Sequence, residues 1–271
     1  MLLRQPVVAG RFYEENPEDL KKELKNFLSY KGEKKSALGI MVPHAGYIYS
    51  GAVAGAVYSA VKLPDTFIIL CPNHTGLGYP ISLMSAGTWR TPLGDVKING
   101  DIAGEILVRA EALNAKLIID DYKAHMHEHA IEVQLPFLQV LKKEFTFVPI
   151  AFAEYDIAAL KKTAECIADA IKGKQVMLIS STDLTHYESA EAAREKDKLV
   201  LDAIETLNSG AMLNAVERQR ISMCGWMGTY VLLEVCKTLG AKKGEIIKYA
   251  NSGEASGDMD KVVGYGGAII I

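Results

Sequence analysis

The chain has 271 residues, 49% of them hydrophobic and 23% charged, with a formal net charge of −3. It is long enough to bury a large core, and Lys and Arg are scattered among Asp and Glu, leaving no basic stripe for nucleic acid. With no long apolar segment at the amino terminus and none able to cross a bilayer, no membrane partner is expected and the expected location is cytoplasmic.

In chain order, Asn16-Pro17-Glu18-Asp19 ahead of Leu20, Leu24, Phe27 and Leu28 predicts a helix capped by Asn16 and opened by Pro17. The run Lys31–Lys35 reads as a solvated loop. Leu38–Val42 predicts a strand that empties into Pro43-His44-Ala45-Gly46-Tyr47, and Ser50–Val61 predicts a helix whose small residues permit close approach to a sheet. A second strand, Thr66–Cys71, empties into Pro72-Asn73-His74-Thr75-Gly76. The segment Gly87-Thr88-Trp89-Arg90-Thr91-Pro92-Leu93-Gly94 carries turn punctuation and is expected to be an excursion near the site. Gly100–Ala112 predicts a helix and Lys116–Ile119 a short strand. A second polar excursion, Asp120–Glu128, leads into the helix Ala130–Lys142, which Pro136 should kink.

The strand Phe145–Phe152, the helix Ile157–Ile171 and the strand Val176–Ser180 follow, and the last continues through Ser181 and Thr182 into Asp183-Leu184-Thr185-His186. Ala190–Ser209 reads as one long helix and Trp226–Leu239 as another. Ile246–Asn251 and Val262–Ile271 close the chain as strands. This alternation predicts an α/β fold with a mixed or mostly parallel sheet between helix layers, and the absence of repeats and linkers predicts a single domain over 1–271.

Three strands therefore end in histidine, and ligands of open α/β sheets bind beyond the carboxyl ends of the strands. Neutral imidazole is the commonest metal ligand, and the matching contexts of His44 and His74 predict a metal site. Cys71, Cys166, Cys224 and Cys236 have no paired spacing, which suits a reducing compartment. Cys224 stands at the entry of a predicted helix, whose dipole favours thiolate, whereas the other three read as buried hydrophobes. Asp183 and His186 could orient a ligand, bind substrate or pass a proton, or could simply stabilise a turn. The cluster His125-Met126-His127-Glu128-His129-Ala130-Ile131-Glu132 is neither HExxH nor HxxEH. His129 and Glu132 are expected to form a polar pair, and His125 and His127 to be exposed. No phosphate loop, dinucleotide fingerprint or nucleophile elbow is present in the sequence.

Taken together, Pro43-His44-Ala45-Gly46-Tyr47 with Ser50-Gly51, Pro72-Asn73-His74, Trp89-Arg90-Thr91-Pro92-Leu93-Gly94, Glu128-His129-Ala130-Ile131-Glu132 with Gln134-Leu135-Pro136, Ser181-Thr182-Asp183 with His186, and Cys224-Gly225 resemble the Memo family. The family includes the microbial proteins called AmmeMemoRadiSam system protein B. The resemblance implies a three-layer α/β/α fold like that of the class III extradiol dioxygenases, whose non-haem iron is held by two histidines and a carboxylate. It also implies His44, His74 and Cys224 as metal ligands, with His129, Asp183 and His186 lining the pocket. Cysteine in place of the carboxylate argues against ring cleavage. It softens the site toward copper or zinc without excluding iron. The resemblance implies a transition-metal cofactor, copper or iron first and zinc next. The activity implied is that of a metal-dependent oxidoreductase. The alternatives are a non-enzymatic peptide or phosphopeptide-binding module using the same vestibule and, third, a metal-dependent hydrolase. A small-molecule or peptide ligand is the expected partner, with homo-oligomerisation allowed for.

Overall fold

Strands covered by helices on both faces need apolar side chains in both directions, and the central strands of this protein have them. A computed structural model of the chain describes residues 2–28, 30–114, 116–153 and 156–271. The first half contains β1 (Leu3–Arg4), α1 (Pro17–Phe27), β2 (Gly39–Val42), α2 (Tyr47–Ala60), β3 (Thr66–Pro72), β4 (Ile81–Leu83), β5 (Thr88–Thr91), β6 (Gly94–Ile98), α3 (Gly100–Leu113) and β7 (Ile119–Asp120). After 3-10 turns at Tyr122–His125 and Glu132–Gln134 come α4 (Leu135–Leu141), β8 (Thr146–Phe152), α5 (Ile157–Ile171), β9 (Val176–Ser181) and β10 (His186–Glu188). The chain closes with α6 (Ala190–Glu205), α7 (Ser209–Arg218), α8 (Trp226–Thr238), β11 (Gly244–Asn251), α9 (Gly253–Ser256) and β12 (Val262–Ile270).

One mixed sheet runs β1-β5-β6-β8-β3-β9-β2-β12-β10, with β4 on β8 and β11 on β12. Its centre, β8-β3-β9-β2, is parallel, so the carboxyl ends of β3, β9 and β2 lie side by side. Alternate residues serve opposite faces. Ile68, Leu70, Val148, Ile150 and Leu178 pack with α3, α5 and α8, while Phe67, Ile69, Phe147, Met177 and Ile179 pack with α1, α2 and α4. The result is the expected three-layer α/β/α arrangement. Asn16 caps α1 by accepting from Glu18 N and Asp19 N, and Cys71, Cys166 and Cys236 are buried, as expected. In α2, Val53 and Val57 do approach the sheet at Gly267, but Gly51 and Gly55 instead make room for Phe27 of α1.

Several local expectations are corrected. The predicted long helix is two, α6 and α7, because Leu207 turns into the left-handed region and Asn208 caps a new helix through Ala211 N. Pro136 does not kink a helix: it occupies the first turn of α4, where a missing N–H costs no hydrogen bond, and the residues before it form a 3-10 turn. Lys35 is not simply solvated but pairs with Glu245. The segment after Gly87 is the β5–β6 hairpin, and its turn lies beside Asp65, Thr66, Phe145 and Thr146, at the amino end of β3 and β8. That is the far end of the sheet from the predicted site. Among the described residues no helix is long and apolar enough to cross a membrane.

Candidate metal centre

His44 follows β2, His74 follows β3, and Asp183 follows β9, which lies between them; Cys224 arrives from the loop before α8, which packs on β3 and β9. Gly225, the residue between Cys224 and the helix, is required there. A Cβ at this position would lie 2.5 Å from Thr182 Cβ and 2.6 Å from Ser181 O, and its N–H donates to Thr182 Oγ1 at 2.9 Å. This close approach brings Cys224 Sγ to 3.2 Å from His44 Nε2. The ligand atoms of His44, His74 and Cys224 all lie within 4.8 Å of one another.

Hydrogen bonding settles which ring nitrogens are free. Ser181 Oγ gives its single proton to Ala130 O at 2.7 Å and accepts from Gln134 Nε2 at 2.8 Å, so toward His44 Nδ1, 3.1 Å away, it can only accept. His44 therefore carries its proton on Nδ1 and turns the lone pair of Nε2 toward the sulfur. His74 Nδ1 lies 2.9 Å from Glu128 Oε1 and its backbone N–H donates to Glu128 Oε2 at 2.6 Å, which leaves Nε2 of His74 free in the same way. A histidine whose second nitrogen is held by a carboxylate or hydroxyl is the usual arrangement behind a metal ligand. Donors bound to one ion at about 2.0–2.3 Å sit roughly 3–4 Å apart, and the pairing of Cys224 with His44 falls in that range. Two imidazoles and one sulfur thus fit a soft or borderline transition metal.

His129 joins this group. Its ring stacks on His74 at 4.9 Å, lies 5.5 Å from His44 and meets Phe12 edge-on at 4.9 Å. Asp183 accepts from the backbone N–H of His44 at 2.8 Å, and its own N–H points at Cys224 Sγ at 3.3 Å, so it shapes both ligand loops. His186 stands farther out. Its Nδ1 donates to Leu184 O at 2.7 Å and its backbone N–H donates to Ser222 Oγ. The expected pair of His129 and Glu132 does not form. Glu132 turns away to Arg4, Val7, Val8 and Tyr13, and His129 Nδ1 lies 3.4 Å from Glu128 Oε1 instead. His125, expected at the surface, is fully buried with Nε2 on Ser82 O, whereas His127 is exposed.

Glu128 and Gln134 were visible only as parts of a motif, and Phe12 not at all. The one local signal for Glu128 is a carboxylate set among three histidines just before an apolar run.

Burial sets the electrostatics. It lowers His44 to about 3, helped by the charge of His74, and His129 to about 4, helped by the charge of His44. Burial also opposes ionisation of Glu128, but the hydrogen bond and charge of His74 outweigh it and hold the carboxyl at about 2. The same pair raises His74 against its own burial. Burial, then the Asp183 charge, pushes the Cys224 thiol well up, overriding the helix-entry effect expected from sequence.

A pH dependence follows. Unfolded imidazoles take up protons near pH 6.5 and an unfolded Glu near 4.5, whereas His44, His129 and Glu128 wait until about 3, 4 and 2. The unfolded chain thus binds more protons, and stability falls as pH drops below 6.5. His74, with its raised value, opposes this: its contribution is complete below pH 6.5 and is lost as pH rises through its folded value. His125, fully buried and lowered to about 4, adds to the first group, so three lowered imidazoles outweigh one raised one between pH 7 and 5. Urea denaturation of the metal-free protein should give a lower midpoint at pH 5 than at pH 7, and an equal or higher midpoint would refute this balance.

A profile of the Memo-like protein family matches residues 4–269. The chain is similar to a MEMO1 family protein of Methanosarcina barkeri, 40% identical over 272 residues that cover 99% of this chain and 100% of that one. It is equally similar to a MEMO1 family protein of Aquifex aeolicus, 40% identical over 275 residues with both chains covered in full. For a MEMO1 family protein of Methanopyrus kandleri the identity is 40% over 278 residues, covering 97% of this chain and 96% of that one.

Proposed function

The chain belongs to the Memo-like family, and from that premise we propose that it works as one metal-dependent redox unit, with copper or iron in preference to zinc held by His44, His74 and Cys224. The observation that carries this reading is the pair of imidazoles whose Nδ1 atoms are both engaged, leaving two Nε2 lone pairs beside a sulfur. Bound there, such an ion supplies one-electron chemistry toward oxygen or a reduced small molecule.

The chain's own groups do the rest. Ser181 and Glu128 fix the two ring orientations, and Asp183 holds the His44 loop. His129, stacked on His74 and 5.5 Å from His44, is placed to act as acid or base at the site, and burial holds it neutral near pH 7. Leu184 O can only accept, so His186 keeps its proton on Nδ1 and its Nε2 is the second basic nitrogen on the way out. The ligand is a small molecule or peptide that enters from solvent past His74, whose side chain is 36% exposed. A cytoplasmic setting belongs to the same proposal, because Cys224 must stay reduced to bind metal.

The test is anaerobic isolation without added metal, followed by metal analysis and electron paramagnetic resonance. Copper or iron near one ion per chain is the expected result. Negligible content, together with failure to take up either ion, would remove the proposal. Ester or amide turnover by the zinc-loaded protein would favour a hydrolase instead.

A further inference from the structure

The segment that delivers Glu128 and His129 has no regular structure between its two 3-10 turns, so something outside it must set its shape. Arg4 does so from near the amino terminus. Its guanidinium is fully buried, lies 4.2 Å over the Trp89 ring, and spends its donors on this one segment and its own strand. Nε donates to His125 O at 3.0 Å, Nη2 to Glu128 O at 2.6 Å, and Nη1 to Gln5 O at 3.2 Å and to the Glu132 carboxylate. Glu132 in turn accepts from Val7 N, Val8 N and Tyr13 OH, so the amino-terminal stretch after β1 and the segment lock each other.

We propose that Arg4 is a positioning residue of the metal centre: by gripping the carbonyls of His125 and Glu128 it aims the Glu128 carboxylate at His74, and so sets the nitrogen that His74 offers to the ion. This rests on the metal reading above. The planar fork is what makes the grip, because one group must reach two carbonyls and a carboxylate at fixed angles, and a lysine ammonium cannot. Arg4 touches no ligand atom, and its effect on the ion travels through Glu128 alone.

The experiment is a titration with Co²⁺ followed by its absorption spectrum, in four proteins: parent, Arg4→Lys, Glu128→Ala and the double variant. Partners behind a ligand typically carry about 10–100-fold in metal affinity. Arg4→Lys is expected to weaken Co²⁺ binding by about that factor, with the d–d bands shifted and the sulfur-to-cobalt band retained, since Cys224 is untouched. In the Glu128→Ala background the same change is expected to alter affinity less than about twofold, because the path is already cut. Leu160→Ala, a core truncation in α5 remote from the site, should lower thermal stability and leave Co²⁺ affinity as in the parent, separating positioning from mere destabilisation. If Arg4→Lys does not fold, Arg4→Met with Glu132→Gln removes both buried charges together and is read by the same cycle.

A parent that binds no Co²⁺ overturns the metal reading and this inference with it. A parent that binds, with Arg4→Lys binding equally well or losing the same factor in both backgrounds, overturns the inference alone.

Discussion

Cys224→Ser should lose at least about 100-fold in affinity for Cu²⁺ or Co²⁺, the largest effect expected of any single change at the site. The sulfur is one of three donors and the only soft one, and it sits 3.2 Å from His44 Nε2. A serine hydroxyl in the same place stays protonated and offers a hard, neutral oxygen. A second signature accompanies the loss. Burial and the Asp183 charge keep the thiol protonated in the metal-free protein, so binding must expel that proton, near one per ion at pH 7. Calorimetry in two buffers of different ionisation enthalpy reads this directly. His74, with its raised value, contributes to release in both proteins, so the parent should release about one proton more per ion than Cys224→Ser; equal affinity and equal proton release in both would show that Cys224 is no ligand.

Glu132→Ala should cost about 3–5 kcal/mol of stability and lower the thermal midpoint by roughly 10 °C. Both Glu132 and Arg4 are fully buried, and the carboxylate also accepts from Val7 N, Val8 N and Tyr13 OH. Truncation leaves a guanidinium without its counter-charge and three donors without an acceptor, which costs far more than the pair itself contributes. Glu132→Gln keeps the acceptor oxygen and should lose about half as much. Adding Arg4→Met to Glu132→Ala should recover part of the loss, because no buried charge is then left alone. A Glu132→Ala protein within about 1 kcal/mol of the parent in urea denaturation would show that the cluster is not the anchor described here.

The candidate ligands were readable where chemistry coincides with chain order. His44 and His74 each follow an apolar run within a few residues, and a strand end in a parallel sheet is a fixed address for a ligand. Asp183 is addressed in the same way by β9, and of the roles open to it from sequence the structure shows contacts with the loops of His44 and Cys224. Glu132 shows the limit most clearly. Helical spacing paired it with His129, but the backbone there is 3-10 and the carboxylate rotates toward a cation 128 positions away in sequence. The hairpin after Gly87 has the same lesson, for turn residues announce a turn without saying at which end of the sheet it lies.

What the sequence determined by itself was the alternation of apolar runs and amphipathic segments, hence a sheet between two helix layers, and the residue types that stand at the strand ends. Those properties are local, because periodicity and strand termination depend on neighbours a few residues apart. Only the tertiary structure decided that β9 lies between β3 and β2, that Gly225 lets Cys224 close on His44, that Glu128 backs His74, and that Arg4 holds the segment carrying both Glu128 and His129. These contacts join residues distant in the chain, and burial in a shared low-dielectric interior is what makes each of them, and the protonation states they impose, hold.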